Sequence, residues 1–71
     1  MTAQQFSEIL KKLRAERGWS QEKLAELADL NRSYLGEVER GHAMPSLITL
    51  SKLASALEIK LSTLIAKCES R

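Results

Sequence analysis

Residues 21–40, QEKLAELADLNRSYLGEVER, decide the fold that this sequence predicts. The spacing of their apolar residues predicts two short amphipathic helices joined by a tight turn. Ser20 precedes the first helix, and its hydroxyl is suited to accept a hydrogen bond from an otherwise unpaired backbone N–H. Asn31 is suited to cap the second helix, because the apolar pattern breaks at 29–31. We therefore expect a two-helix unit at about residues 20–40, around which the rest of the chain is organised.

The second of these helices has one apolar and one polar face. Leu35 and Val38 lie three residues apart and are predicted to point inward. The residues predicted to point outward are Arg32, Ser33, Gly36, Glu37 and Arg40. Because this outward face offers little apolar surface and many hydrogen-bonding groups, we expect it to insert into a polar partner.

The sequence before this unit predicts a first helix at residues 4–17. Its apolar stripe, expected to face the core, consists of Phe6, Ile9, Leu10 and Leu13. Gly18 is expected to end the helix, because glycine adopts a positive φ freely. Trp19 follows and is interpreted as a partly buried packing residue.

The sequence after the unit predicts a fourth helix and a short fifth one. Ser46 is expected to cap the fourth helix, at about 47–57, and Ser62 is expected to cap the fifth. The residues predicted to face the core from the fourth helix are Leu47, Leu50, Leu53, Ala54 and Leu57. Because no strand pattern, repeat or linker interrupts the chain, residues 1–71 are predicted to form one all-α domain of five helices.

Length and composition limit the class of protein. Seventy-one residues, 44% of them hydrophobic, suffice for one small domain near the lower limit for a self-sufficient core. The net charge of +2 is weak evidence for a nucleic-acid partner. One cysteine cannot form an internal disulfide, and the sequence has neither a membrane-length apolar stretch nor a signal-peptide pattern. We therefore expect a cytoplasmic protein that does not associate with membranes.

A family resemblance rests on residues in and just after the central unit. They are Ser20-Gln21, Leu24-Ala25, Leu35, Glu39-Arg40-Gly41 and Pro45-Ser46. With these residues the chain resembles the lambda-repressor-like (XRE-type) helix-turn-helix DNA-binding domains over about residues 6–65. Arg32-Ser33-Tyr34 most resembles short regulators such as restriction-modification controller proteins. Asp29 departs from the family pattern, which usually has a left-handed glycine there, and aspartate adopts that conformation at a cost of about 1 kcal/mol.

The resemblance implies that the second central helix lies in the major groove of DNA with its first residues against base edges. Arg32 is expected to pair with O6 and N7 of guanine, and the alternative is a solvated surface arginine. Ser33 and Tyr34 carry hydroxyls suited to a phosphate or a base edge, although Tyr34 equally suits the rim of the core. Glu37 is expected to accept from cytosine N4, with orienting Arg32 or discouraging wrong sequences as alternatives.

Other residues are expected to fix the register on the phosphates. Gln21 begins its helix, so its amide and the helix N-terminus suit a phosphate oxygen, the alternative being a solvated position. Arg40, at the end of the second helix, is a further phosphate candidate, and the resemblance implies that Asn31 contacts the backbone as well as capping. The resemblance also implies a structural ion pair between Arg14 and Glu39, which would fix the first helix against the helix-turn-helix.

The last helix supplies a candidate dimer interface at about residues 58–68. Leu61, Leu64 and Ile65 remain as apolar residues near the chain end, and an exposed apolar patch usually marks an interface. Pairing of two such patches about a two-fold axis would place two reading helices about 34 Å apart on one face of DNA. The alternative is that Leu64 and Ile65 complete the core of the monomer.

The sequence gives no indication of catalysis, a metal or a cofactor. His42 stands alone in a predicted loop, and Cys68 has no histidine nearby in sequence. The three glycines are too scattered to form a phosphate-binding loop. We therefore expect a protein that is not an enzyme and needs no small-molecule ligand.

These expectations together predict a transcriptional regulator that binds a palindromic operator in double-stranded DNA as a homodimer. Its occupancy of the operator would either block RNA polymerase or recruit it. One alternative is a protein-interaction module, such as an antitoxin that docks a partner protein through the last helix. Another is a DNA-binding fragment of a longer chain. Binding to random duplex that weakens steeply with salt would favour DNA as the partner.

Overall fold

The fold is all-α, as predicted. A computed structural model describes residues 1–69, and within that range it contains five helices and no strand. The helices are α1 (Ala3–Glu16), α2 (Gln21–Leu27), α3 (Arg32–Glu39), α4 (Leu47–Ala56) and α5 (Leu61–Glu69). No helix in the described part of the chain is both long and apolar enough to cross a membrane.

Side-chain caps define where the central helices begin. The Ser20 hydroxyl accepts a hydrogen bond from the Lys23 N–H at 3.0 Å, and the Ser46 hydroxyl caps α4 in the same way. Asn31 caps α3 by accepting from two backbone N–H groups. These three predicted caps are confirmed. The predicted cap at Ser62 is wrong, because α5 begins at Leu61 and so places Ser62 inside the helix.

Two tight turns use non-glycine residues in the left-handed conformation. Asp29, between α2 and α3, has φ 55°, and the next N–H, of Leu30, donates to the carbonyl of Ala25 at 2.8 Å. Glu58, between α4 and α5, has φ 59°, and the N–H of Ile59 donates to the carbonyl of Ala54 at 3.0 Å. The left-handed conformation expected of Asp29 is present, whereas the matching turn at Glu58 was not predicted.

The core draws side chains from all five helices. Its buried apolar members are Phe6, Leu10, Leu13, Leu24, Ala25, Ala28, Leu35, Val38, Leu50, Leu53, Ala54, Leu57, Leu64 and Cys68. Trp19 is half-buried against this core, as predicted. Leu47 was predicted to face it and does not: it is the first residue of α4, where its side chain is 66% exposed.

The apolar residues of α5 divide between core and surface. Leu64 is completely buried in the core of its own chain, so the prediction that it lies in an exposed patch is wrong. Leu61 and Ile65 are half-buried. They lie four residues apart and therefore on one side of the helix. Any surface that α5 offers to a partner consists of these two side chains and not of Leu64.

Candidate nucleic-acid interface

The two faces of α3 are as different as the sequence predicted. Leu35 and Val38 are fully buried in the core, whereas Arg32 and Ser33 are exposed. Tyr34 is half-buried and packs against the core, which leaves part of its ring at the surface. Since the apolar face of α3 is fixed by the core, its polar face has a fixed direction.

An open concavity of about 330 Å³ lies along this polar face. The residues that line it are Gln21, Arg32, Ser33, Gly36, Glu37 and Arg40. It therefore brings together five of the residues that were predicted to contact DNA. The other two, Asn31 and Tyr34, do not line it. Asn31 Oδ1 is occupied by the backbone N–H groups of Ser33 and Tyr34.

Gly36 forms part of the floor of the concavity. It was predicted to point outward, but it is buried beneath two side chains. A Cβ at this position would lie 3.5 Å from Arg40 Nη1 and 3.7 Å from Gln21 Oε1. The Arg40 guanidinium thus lies over the backbone of α3, at ordinary van der Waals distance from where a Cβ on Gly36 would be.

A buried ion pair supports the concavity from the core side. Arg14 of α1 donates from Nε to Glu39 Oε2 at 2.8 Å and from Nη2 to Glu39 Oε1 at 3.1 Å. The Glu39 side chain is 1% exposed and that of Arg14 20%. The Arg14–Glu39 pair implied by the family resemblance is thus present, in the bidentate geometry that is strongest for arginine and carboxylate.

Two further bonds tie this pair to the start of α2. Gln21 Nε2 donates to Glu39 Oε1 at 3.0 Å, and Arg14 Nη1 donates to the carbonyl of Trp19 at 2.7 Å. The sequence predicted either a phosphate contact or a solvated position for Gln21, and it did not indicate the bond to Glu39. A residue at the start of α2 gives no sequence signal for a partner near the end of α3. The contact is set by how the two helices cross.

A second ion pair lies at the exposed edge of the concavity. Arg40 donates from Nε to Glu37 Oε2 at 3.1 Å and from Nη2 to the same oxygen, while His42 Nδ1 lies 3.6 Å from it. The hydrogen bonds and positive charge of Arg40 hold the pKa of Glu37 below its ordinary value of 4.5, and His42 lowers it further. The sequence predicted Glu37 as an acceptor for cytosine or a partner of Arg32, and Arg40 as a phosphate contact, but it did not predict their pairing. The opposite charges three residues apart on a helix were the available signal for the pair.

Arg32 differs from both of these arginines. Within residues 1–69, its guanidinium makes no hydrogen bond or ion pair. It lies at the first position of α3 and lines the concavity. Its donors are therefore available to a ligand without the loss of any internal contact.

This arrangement, two short helices across a tight turn with the second presenting a polar face, defines a helix-turn-helix protein. Residues 10–64 match the helix-turn-helix family HTH_3. The chain belongs to that family, which confirms the lambda-repressor-like resemblance.

Relatives and solved structures agree with this assignment. The chain is 42% identical over 65 residues to the control protein C.MunI of Mycoplasma sp, covering 90% of this chain and 88% of that protein. It is 40% identical over 65 residues to the HTH-type transcriptional regulator SutR of Escherichia coli, covering 92% of this chain but 36% of SutR. The structure of the restriction-modification controller protein C.AhdI from Aeromonas hydrophila superposes with a TM-score of 0.83 at 47% identity, covering 87% of this chain and 94% of that one.

Proposed function

We propose that this protein is a sequence-specific DNA-binding transcription regulator of the controller type, which binds a palindromic operator as a homodimer. The observation that carries the proposal is the polar face of α3, where exposed Arg32 and Ser33, the former unpaired within residues 1–69, stand opposite a fully buried apolar face. Its relatives include a control protein and an HTH-type transcriptional regulator. Occupancy of the operator then blocks RNA polymerase or recruits it.

Base reading begins at the N-terminal end of α3. Arg32 presents its guanidinium to the O6 and N7 of a guanine, the bidentate pairing for which that group is suited. Ser33 is exposed beside it and offers a hydroxyl to a base edge or a phosphate. Tyr34 reaches the DNA only with the exposed part of its ring. Glu37, one turn further along, accepts from a cytosine amino group.

Phosphate contacts fix the register on either side of α3. Gln21 keeps one amide hydrogen after its bond to Glu39, and that hydrogen suits a phosphate oxygen. Asn31 has its Oδ1 committed to the cap, which leaves its amide N–H groups for the backbone. Arg40 is the remaining phosphate candidate from the sequence.

Dimerisation through α5 gives the two-fold symmetry that a palindromic operator requires. The surface for it consists of half-buried Leu61 and Ile65, without Leu64. Ile65→Lys should therefore yield a folded monomer that binds its operator poorly, because a charge on this surface opposes pairing. Leu64→Lys, the matched control one residue away, should instead unfold the protein. Sedimentation equilibrium combined with circular dichroism separates the two outcomes, and a wild type that is monomeric at tens of micromolar would contradict the dimer.

Selection of bound sites from a random duplex library tests the proposed function as a whole. We expect an enriched motif with two-fold symmetry and half-sites about 34 Å apart from centre to centre. Indifference to DNA, with no motif enriched, would contradict the proposal and favour a module that binds another protein.

A further inference from the structure

The contacts of Glu37 leave one of its two carboxylate oxygens available. Both hydrogen bonds from Arg40 and the approach of His42 converge on Oε2. Among the described residues, Oε1 receives no hydrogen bond. The Glu37 side chain is 46% exposed and lines the same concavity as Arg32. Within residues 1–69, the concavity thus presents an oriented carboxylate acceptor and an unpaired arginine together.

We infer that Glu37 and Arg40 act as one base-reading unit, in which Arg40 is a positioning residue and Glu37 Oε1 accepts a hydrogen bond from the amino group of a cytosine. This inference rests on the proposed function, since it names what one part of the DNA-binding face reads. It changes the role of Arg40, which the sequence had suggested only as a phosphate contact.

The charge of the pair explains why both residues are needed. A lone carboxylate on a surface that faces phosphates would be repelled by them. Arg40 cancels that charge locally and, with two bonds to Oε2, restricts the directions that the carboxylate can take. The pair carries no net charge, so it adds little to the salt-dependent attraction between the protein and any duplex.

The same geometry provides discrimination between bases. In the major groove cytosine offers the N4 amino donor, whereas guanine and thymine present acceptors, and adenine places its acceptor N7 beside its N6 donor. An acceptor facing Glu37 Oε1 would leave that oxygen desolvated and unpaired. Wrong sequences are therefore penalised at this position even though the phosphate contacts remain unchanged.

The position of the guanidinium over Gly36 distinguishes this arrangement from an extended phosphate contact. Arg40 Nη1 and Nη2 would lie 3.5 Å and 3.6 Å from a Cβ built on Gly36. The Arg40 guanidinium is therefore held against α3, where it reaches the Glu37 carboxylate. A lysine at position 40 would keep the positive charge but lose the planar fork that makes two bonds to one carboxylate.

The test uses the operator selected by the wild type and a set of operators with each base pair changed in turn. We expect one cytosine per half-site whose replacement weakens wild-type binding roughly 10- to 100-fold. Glu37→Ala and Arg40→Lys should both reduce that preference to less than about 3-fold, while preferences at other positions persist. Because the substituted lysine retains the positive charge, the dependence of log affinity on log salt should stay unchanged in Arg40→Lys.

A matched control comes from the exposed Lys23–Glu26 pair on α2, which has the same three-residue spacing but lies outside the concavity. Lys23→Ala should leave every base preference intact. If Arg40→Ala weakens all duplexes equally and lowers the salt slope by about one, Arg40 is a phosphate contact and the inference is wrong. Selection of adenine at this position, or a preference that survives Glu37→Ala, would also overturn it. If the wild type selects no motif at all, the proposed function itself fails.

Discussion

Two arginine–glutamate pairs in this small protein differ in almost everything except their chemistry. Glu39 and Glu37 lie two residues apart at the end of α3, yet one faces the core and the other the concavity. The Glu39 side chain is 1% exposed, and it joins α3 to α1 through Arg14. The Glu37 side chain is 46% exposed, and its arginine comes from the next turn of the same chain segment. Burial, more than the identity of the residues, separates a contact that holds the fold from one that is available to a ligand.

The difference follows from how each carboxylate is solvated. Glu39 has lost its water and is compensated by three hydrogen bonds, two from Arg14 and one from Gln21. Removing Arg14 would leave the buried charge of Glu39 unpaired. Glu37 keeps access to water, so its pair contributes little to stability. The exposed carboxylate is therefore accessible to a ligand, whereas the buried one is not.

The largest expected effect is on stability. Glu39→Ala should lower the free energy of unfolding by about 3–5 kcal/mol, because it leaves the Arg14 guanidinium without its partner. Glu37→Ala, the matched exposed variant, should leave that free energy nearly unchanged. Urea denaturation followed by circular dichroism measures both. Since such a loss approaches the total stability of a small domain, Glu39→Gln, which retains some of the hydrogen bonds, provides a milder comparison. Equal losses of unfolding free energy in Glu39→Ala and Glu37→Ala would contradict the difference between the buried and the exposed pair.

Arg32 adds a third arginine, with no ion pair in the described part of the chain, to the comparison. Arg32→Ala should lose about 1–3 kcal/mol of binding free energy on the selected operator and much less on random duplex. The unfolding free energy should change little, because the side chain is exposed and touches no partner within residues 1–69. Fluorescence anisotropy on both duplexes gives the two binding constants. Equal losses on both would make Arg32 a phosphate contact.

Asp29 tests whether other exposed ion pairs are as weak as that of Glu37. Its carboxylate is 99% exposed and lies 3.9 Å from Lys52 Nζ, so this pair should contribute almost nothing. Asp29→Gly relieves the left-handed backbone and should raise the unfolding free energy by up to about 1 kcal/mol. Glu58→Gly, in the matching turn between α4 and α5, should give a gain of the same sign. Thermal denaturation decides this, and a loss at Asp29 would show that its pair matters after all.

The smallest effect concerns the titration of Glu37. Because Arg40 holds its folded-state pKa below the ordinary 4.5, the carboxylate favours the folded state above that pH. This contribution is lost as the pH falls through the lowered folded-state pKa. A ¹³C NMR titration of the side-chain carboxyl should show a lower pKa in the wild type than in Arg40→Gln. Identical values in the two proteins would mean that the pair does not persist in solution.

The sequence predicted the helices and their starts well, because caps and apolar periodicity are local signals. Ser20, Asn31 and Ser46 cap as expected, since each needs only a backbone N–H two or three residues away. The prediction that Ser62 caps α5 failed because the sequence does not distinguish a serine inside the first turn of a helix from one that caps it. The left-handed conformation of Glu58 was not predicted, because this turn has neither the glycine nor the asparagine that usually indicates it.

Errors about burial and partners came from contacts between distant segments. Periodicity predicted Leu47 on the inward side of α4, but it is the first residue of that helix and its side chain is 66% exposed. Leu64 was predicted to lie in a surface patch because the sequence does not show that α5 packs with this side chain in the core. The family resemblance supplied the Arg14–Glu39 pair, whereas the Gln21 bond to Glu39 depends on how α2 crosses α3. Every residue proposed to meet DNA was thus already a candidate in the sequence, whereas the contacts that hold Gln21, Glu37 and Arg40 were not predicted.

The central claim is that the polar face of α3 recognises particular base pairs, and one ratio tests it most directly. Wild-type affinity is measured at one fixed salt concentration for the selected operator and for random duplex of equal length. We expect the operator to be bound at least about 10³-fold more tightly, as is typical of specific recognition. Equal affinity for the two duplexes would contradict the claim, because it would mean that the protein senses only the phosphate charge.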